Sequence, residues 1–355
     1  GNYNVGIGMA ALLNNSTADN NTAVGYQALR ANTTGSENVA IGRLAMQSNT
    51  TGLDNTAVGN AALLNATTAS DNTAVGSAAL ISTTNGRENT AVGRQALEDL
   101  TTGIYNTGIG RNALANLTTA NYNTAVGWQA GANNTGQGNT FVGLNCGRDQ
   151  TSGIDNAYYG WDAGLTTTTG SSNTCIGTLA GSTITTGIQN ICLGKNARTS
   201  GGTDNYSIVI STDQDYGKGS STGFIDANSG SIYQGNNSTT WATVSDRRIK
   251  KNIEDNTIGL EKINQIRVRN FEYRTVDEIV DFDEPKSAVV KQEGVQLGVI
   301  AQEIETILPD VVKEESTGVK TINADNLTWY LVNAVKELST QVDELKTEIQ
   351  TLKGE

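Results

Sequence analysis

The chain has 355 residues, a formal net charge of −12 at pH 7, 40 glycines, 2 prolines and no histidine. The missing histidine excludes a Ser-His-Asp triad and most transition-metal sites, and the acidic balance argues against a nucleic-acid partner. No apolar run is long enough to cross a membrane, so we expect no membrane insertion. We also expect no metal and no cofactor. Because the chain starts inside a repeat and not with Met, we expect it to be a piece of a longer protein.

Residues 1–204 are a tandem repeat of the form N-T-A-V-G-x-x-A-L-x-x-x-T-T-G-x-D/E. Its anchor asparagine recurs every 17 residues, with one spacing of 16, and marks twelve units. The anchors are Asn4, Asn21, Asn38, Asn55, Asn72, Asn89, Asn106, Asn123, Asn139, Asn156, Asn173 and Asn190. A period this short predicts a mainly β fold, a parallel β-solenoid with two short strands and two turns in each coil. Twelve coils stacked at about 4.8 Å give a rod of roughly 55 Å.

Two apolar features follow from the repeat. Alternation within N-T-A-V sends Ala and Val to opposite faces of a strand. The A-L pair, as in Ala28-Leu29 and Ala62-Leu63, forms an apolar stripe along the rod. An exposed stripe of that length is unusual on a monomer, so we predict that it is an interface between copies of the chain.

The recurring N-x-x-[VI]-G unit resembles the β-roll heads of trimeric bacterial adhesins and the repeat regions of phage tail fibres. Both resemblances imply a homotrimer. The 17-residue period is longer than the adhesin unit.

Three surface features are candidate binding sites. Glu37, Asp54, Asp71 and Glu88 form an acidic ladder that either binds a cation or is simply solvated. The T-T pairs form threonine files, as in ice-binding solenoids, although neighbouring threonines point to opposite faces.

Trp128 and Trp161 are the third candidate, because each directly follows a repeat glycine, with Tyr122, Tyr158 and Tyr159 in the same coils. An outward aromatic cluster suits stacking on a sugar ring, and packing between subunits is the alternative.

The three cysteines are expected to be small buried residues. Cys146 and Cys175 occupy alanine slots, and Cys192 follows Cys175 by one period. Parallel stacked side chains do not favour a disulfide. Residues 205–244, which lose the period, predict a narrow β stalk interwound between chains.

Residues 245–355 begin with a basic cluster in "SDRRIKKNI" and continue with "QLGVIAQEIETILPDVV" and "NLTWYLVNAVKEL". These three motifs, in this order, resemble the S74 peptidase family, the intramolecular chaperone domain at the C-terminus of phage tailspikes and endosialidases. The resemblance implies a small α+β domain that trimerises a fibre, guides its folding and then cuts itself off. The implied cut lies between Val244 and Ser245, and the implied catalytic pair is Ser245 with Lys250.

The residues themselves are compatible with that pair. Without histidine, lysine is the natural base for a serine nucleophile, but its pKa must fall well below the usual value of about 10.4. Neighbouring cations such as Arg247 favour such a fall, and Asp246 opposes it unless it points elsewhere. A pair five residues apart within one chain requires a turn, because a helix would separate the two side chains by about 140°. The alternative is a Ser/Asp helix cap followed by a solvated basic face.

The C-terminal residues from Asp325 onward carry a heptad pattern typical of a coiled coil. The a positions are Val335, Val342 and Ile349, and the d positions are Leu331, Leu338, Leu345 and Leu352. Together the resemblances imply a virion tail fibre that attaches to a bacterial surface receptor. We expect this receptor to be a glycan, and we expect no other partner than copies of the chain itself. A trimeric surface adhesin without proteolysis is the alternative, and an ice-binding solenoid is a third.

Overall fold

A computed structural model of the chain describes residues 1–212, 215–226, 232–234, 241–242, 247, 250–275, 278, 293–314 and 319–354. The chain forms two compact units, Gly1–Asp246 and Arg247–Glu355.

The first unit is a parallel β-solenoid, which confirms the predicted fold. Its strands belong to one sheet and follow each other in chain order. They are β1 Val5–Ile7, β2 Thr22–Val24, β3 Val39–Ile41, β4 Thr56–Val58, β5 Thr73–Val75, β6 Thr90–Val92, β7 Thr107–Ile109, β8 Thr124–Val126, β9 Thr140–Val142, β10 Ala157–Tyr159, β11 Thr174–Ile176, β12 Ile191–Leu193, β13 Ile208–Ser211, β14 Gly223–Asp226, β15 Ile232–Gln234 and β16 Trp241–Ala242. Strands β1 to β14 pair in parallel, so the stack extends past residue 204, and β15 and β16 then pair antiparallel.

Each coil contains one strand and not the two that we expected. The strand has three residues in each of β1 to β12, and turns make up the rest of the coil. Left-handed backbone angles explain the difference: in the second coil Asn20, Gln27 and Leu29 have φ of 58°, 56° and 49°. Such residues end an extended segment at once, so a second strand has no room to form.

The predicted alternation within the strand is correct, but the predicted A-L interface is wrong. The strand alanines, such as Ala23, are completely buried, whereas Val24 faces outward. Ala28 and Leu29 are both completely buried as well. The left-handed turn at Leu29 lets two successive side chains point into the same coil, so the A-L stripe is part of the core of a single chain.

The anchor asparagines form a buried ladder along the solenoid. The Oδ1 atom of Asn72 accepts hydrogen bonds from the backbone N–H and the Nδ2 of Asn89, both at 3.1 Å. Its Nδ2 donates to the carbonyls of Ser70 and Gly86, each at 2.9 Å. Because the amide both donates and accepts along the axis, it satisfies backbone groups that the thin core would otherwise leave unpaired. This requirement explains why the asparagine recurs in every unit.

The glycine after each strand is required by close approach between coils. Gly25 has φ of 139°, and a Cβ there would lie 2.4 Å from the carbonyl oxygen of Gly42. Both the positive φ and the short distance to the next coil therefore exclude a side chain at Gly25.

The later coils exchange the core leucine for glycine. Gly131 takes the slot of Leu29, and a Cβ on Gly131 would lie 2.4 Å from the ring of Phe141. Phe141 in turn replaces a strand alanine and is completely buried. The ring therefore fills the volume that leucine fills elsewhere, and the core stays packed.

The second unit is a small α+β assembly that ends in a long helix. Its elements are α1 Leu260–Ile263, β17 Arg269–Phe271, β18 Gln296–Gly298, α2 Ala301–Glu305, a 3-10 turn Pro309–Val311, β19 Val312–Glu314, β20 Lys320–Ile322 and α3 Ala324–Lys353. β17 pairs antiparallel with β18, and β19 with β20. Asn323 caps α3 by accepting from the N–H groups of Asp325 and Asn326, and Gly354 ends it with φ of 74°.

Candidate functional sites on the C-terminal unit and the solenoid surface

The segment between the two units carries the predicted cut. Val244, Ser245 and Asp246 lie outside the residues that the structure describes, so the pairing of Ser245 with Lys250 remains a prediction. Arg247 and Lys250 are described, and both are exposed. The Lys250 N–H donates to the Arg247 carbonyl at 3.2 Å.

The chain that follows Lys250 is fastened to α3. The Asn333 Nδ2 donates to the carbonyls of Asn256 and Ile258, at 2.8 and 3.2 Å. The Leu260 N–H donates to the Glu337 carboxylate at 2.9 Å. Three backbone groups of one segment are thus held by side chains of one helix face. Any event that fixes α3 also positions the segment that leads back to Lys250.

The second predicted motif, Gln296–Val312, builds the small core of this unit. Ile304, Leu308, Val311 and Tyr330 are its buried members. Arg269 forms a forked pair with Glu303, at 2.7 and 3.3 Å, and this joins β17 to α2. The Arg269 guanidinium also lowers the pKa of the Glu303 carboxyl, chiefly through these hydrogen bonds.

Helix α3 has an apolar surface that a single chain leaves open. The heptad residues are about half exposed: Leu338 at 49 %, Val342 at 41 % and Ile349 at 50 %. Trp329, near the start of the helix, is 66 % exposed. Large side chains repeating at heptad spacing and facing water are typical of a helix that packs against other helices. In the described residues no helix is both long and apolar enough to cross a membrane.

The candidate aromatic site on the solenoid has exposed aromatic rings, but fewer of them than the sequence predicted. Trp128 and Trp161 occupy equivalent positions and are 43 % and 58 % exposed. Leu144 lies between them in the same column and is also exposed. Tyr122 and Tyr159 are exposed too, but Tyr158 is completely buried, because it is the middle residue of β10. Tyr158 therefore cannot contribute to a surface cluster.

The acidic ladder is exposed, whereas hydroxyls of the threonine files make hydrogen bonds within the solenoid. Glu37, Asp54, Asp71 and Glu88 are all exposed, and no described group of three acidic or cysteine side chains is arranged to hold a metal. The first threonine of most T-T pairs donates its hydroxyl to a carbonyl of the next coil. For example, Thr33 and Thr50 donate to the carbonyls of Thr50 and Thr67, both at 2.9 Å. These hydroxyls therefore link successive coils of the stack.

The cysteines are buried, as expected. Cys175 pairs in register with Cys192 on the next coil, as expected, and all three cysteines are free thiols. Burial raises the pKa of Cys146 to about 12. A thiol with so high a pKa is not a nucleophile at neutral pH.

The acidic ladder and the two tryptophans, which the sequence predicted as separate features, belong to two columns that border the sheet. One comprises the residue before each anchor, and the other comprises the residue five places after it. Side chains contact each other along the first column: the Tyr105 and Tyr122 rings stack at 5.4 Å. Hydrogen bonding to the Glu88 carboxylate raises the pKa of Tyr105. The sequence interpretation did not follow these two columns along the whole shaft, although the same 17-residue period marks every member.

Comparison with known proteins supports the resemblance of the C-terminal residues to the S74 peptidase family. Residues 245–313 match the family model Peptidase_S74, chaperone of endosialidase, which confirms the resemblance expected from the motifs. Long tail fiber protein Gp37 of Enterobacteria phage M1 is 33 % identical over 111 residues, which is 30 % of this chain and 40 % of that protein. Its counterpart in Enterobacteria phage Ox2 is 34 % identical over 107 residues, 29 % of this chain and 39 % of that protein. The chain thus spans about two fifths of the length of these relatives.

Proposed function

We propose that this chain is part of a homotrimeric phage tail fibre whose C-terminal unit is a self-cleaving folding chaperone. The observation that carries the proposal is the joining of near-identical coils to a unit that matches the chaperone of endosialidase family. The similarity to two long tail fibre proteins supports the same assignment. The fibre would belong to the virion tail and attach to a bacterial surface receptor.

The solenoid gives a physical reason for a chaperone. Its strands pair at an offset of one repeat, for example Thr56 with Thr73 and Ala57 with Ala74. A slip by a whole coil keeps each side chain on its face, so the usual penalty for a register error is nearly absent. Pairing of distant residues is also slow to nucleate. Chains that are aligned first at one end can add coils from there in a single register.

The C-terminal unit has the features of such an alignment device. Its buried core is small, and α3 exposes the apolar heptad residues. Association of three α3 helices would bury that surface and bring three chains level. The same helix fixes the segment after Lys250 through Asn333 and Glu337, so association would also shape the site of the cut.

The proposed reaction is acyl transfer followed by hydrolysis. The Ser245 hydroxyl attacks the Val244 carbonyl carbon, Lys250 in its neutral form accepts the hydroxyl proton, and the Val244–Ser245 peptide bond breaks as the Ser245 amine leaves with a proton. Water then hydrolyses the ester that joins the Val244 carbonyl to the serine oxygen. Support comes from the five-residue spacing and from the family match, which begins at residue 245. Release of the chaperone leaves a shaft that cannot unfold along the path by which it folded.

A denaturing gel of the freshly expressed chain tests this proposal. Scaling 37.3 kDa by 111 of 355 residues, the released piece has a mass of about 12 kDa, and its first residue is Ser245. Ser245→Ala and Lys250→Ala should fold and trimerise but remain full length. Lys251→Ala is the matched control and should still be cut. Complete processing of the Ser245→Ala chain would overturn the mechanism, and a chain that is never cut would favour the adhesin alternative.

The receptor contact is a separate part of the proposal. Trp128 and Trp161 present half-exposed rings on equivalent positions of the shaft, and such rings stack well on sugars. The receptor is accordingly expected to be a surface glycan.

A further inference from the structure

The outward side of the solenoid sheet is an uncharged and largely apolar surface that no other described segment of the chain covers completely. We define the sheet face as the first and third residues of strands β1 to β12. These positions hold only Thr, Val, Ile, Ala, Leu and Tyr and carry no charge. Ile41, Ile109 and Ile176 are 40 %, 38 % and 45 % exposed. Twelve coils at about 4.8 Å make this face roughly 55 Å long.

Charged columns border the sheet face on both sides, and their signs are opposite. The acidic edge is the residue before each anchor asparagine, and its charged members are all acids. They are Glu37, Asp54, Asp71, Glu88 and Asp155. The basic edge is the residue five places after each anchor, and its charged members are all bases. They are Arg43, Arg94, Arg111 and Lys195.

In two of the twelve units an acid and a base occupy the two edges of the same coil. Glu37 shares a coil with Arg43, and Glu88 shares a coil with Arg94, while Tyr122 shares a coil with Trp128. The members of such a pair are separated by the width of the sheet, about 15–20 Å, so they do not contact each other within a chain. Their complementarity has a use only between molecules.

From these observations we infer that the sheet face is the interface between parallel copies of this chain, and that the acidic edge of one copy meets the basic edge of the next. Copies related by rotation about the shaft axis always bring one edge against the other at the same level. A face about 55 Å long and 15–20 Å wide has an area on the order of 800–1,000 Å², which is the area per partner in a stable complex. In the unshifted arrangement Glu37 of one copy meets Arg43 of the next and Glu88 meets Arg94, so the two edges attract each other.

This inference rests on the proposed trimer for the number of copies, but its surface is independent of the C-terminal unit. The inferred interface replaces the A-L stripe, which is buried within each chain. It also places Trp128 and Trp161 on the basic edge, at the corner between neighbouring copies.

Cross-linking of the full chain tests the inference. In Glu88→Cys/Arg94→Cys, a short bismaleimide should join neighbouring copies and give a covalent band of three chains on a denaturing gel. The three native cysteines are buried and should not react. The matched control is Thr68→Cys/Arg94→Cys, because Thr68 is exposed but lies in the T-T run away from the edges. A single-chain band in both variants would overturn the interface, and a band that stops at two chains would overturn its threefold arrangement.

A second variant keeps the inference testable if cross-linking perturbs folding. Val75→Arg places a charge in the sheet face without touching the core, since Val75 is the outward residue of β5. Light scattering of the processed shaft should show a shift from three-chain to single-chain mass, and Thr68→Arg should leave the mass unchanged. Retention of the three-chain mass by Val75→Arg would contradict the inference. The cut at Ser245, read separately from the released fragment, reports on the proposed function independently.

Discussion

The solenoid and the C-terminal unit differ in how much apolar surface each buries within a single chain. In the solenoid one continuous buried cluster runs from Ala23 to Phe224, and its asparagine ladder satisfies the backbone coil after coil. In the C-terminal unit the buried cluster comprises Ile304, Leu308, Val311 and Tyr330, and α3 leaves Trp329 and its heptad residues exposed. The repeat closes its own core but contains no information about register. The C-terminal unit is unique in sequence and, in the proposed trimer, would pack against copies of itself. In that proposal, stability and alignment are carried by different parts of one chain.

The largest expected effect breaks alignment while leaving the solenoid core intact. Leu338→Asp puts a charge at a d position of α3, where a folded monomer tolerates it because Leu338 is half exposed. Three associated helices would bury that charge, so association should be lost. Light scattering should show a monomer, and the gel should show no cut, because the catalytic pair is expected to form only in the assembled unit. Ser339→Asp, one residue along on the same helix, is the control and should assemble and be cut; if Leu338→Asp is also cut, assembly and cleavage are independent.

A large effect in the solenoid is expected from a change in the ladder of buried anchor asparagines. Asn72→Ala removes an amide that accepts from Asn89 and donates to Ser70 and Gly86. At least two buried groups lose their partners, so the shaft should lose about 3–5 kcal/mol of unfolding free energy, at 1–3 kcal/mol for each group. Denaturant unfolding of the Ser245→Ala chain measures the change.

The exposed Asn85→Ala is the control for Asn72→Ala and should change the unfolding free energy by less than about 0.5 kcal/mol. Equal losses in the two variants would mean that the ladder is not what stabilises the coils.

These two regions also show what the sequence can predict. The 17-residue period was sufficient for the solenoid, and the alternation was sufficient to place Ala23 and Val24 on opposite faces, because both act locally. It was not sufficient for the number of strands in a coil, which depends on left-handed angles at residues such as Leu29 that a sequence pattern does not display. The same angles turned the A-L pair inward. The heptad of α3 was predicted correctly as an apolar column, since helical spacing alone decides which side chains share a face. The catalytic pair rested on resemblance, because spacing alone does not separate it from a helix cap.

A smaller effect decides the role of the aromatic column. In Trp128→Ala/Trp161→Ala, loss of a sugar-stacking surface should weaken binding to whole cells by roughly 30-fold or more, since truncation of a central tryptophan typically costs about 2 kcal/mol. Light scattering should show an unchanged trimer in that case. Unchanged cell binding together with a lower melting temperature of the trimer would instead assign both rings to the corner between copies. Exposed Leu144→Ala, in the same column, controls for a loss of apolar area alone.

The smallest expected effect compares one hydrogen bond in each region. The Tyr330 hydroxyl donates to Asp310 at 2.6 Å, and this bond raises the pKa of Tyr330 above its usual value. The neutral phenol is therefore the form that folding favours, so its contribution is complete below the unfolded pKa of about 10 and is lost as pH rises through the folded value. Tyr330→Phe should lower the stability of the C-terminal unit by about 1 kcal/mol at pH 7 and by progressively less above pH 10. Thermal unfolding at several pH values measures this. Tyr158→Phe, which removes a bond to Thr167 at 3.2 Å, should weaken the shaft and leave the C-terminal transition in place. If both variants shifted both transitions equally, the two regions would unfold as one, and the division of labour between them would be wrong.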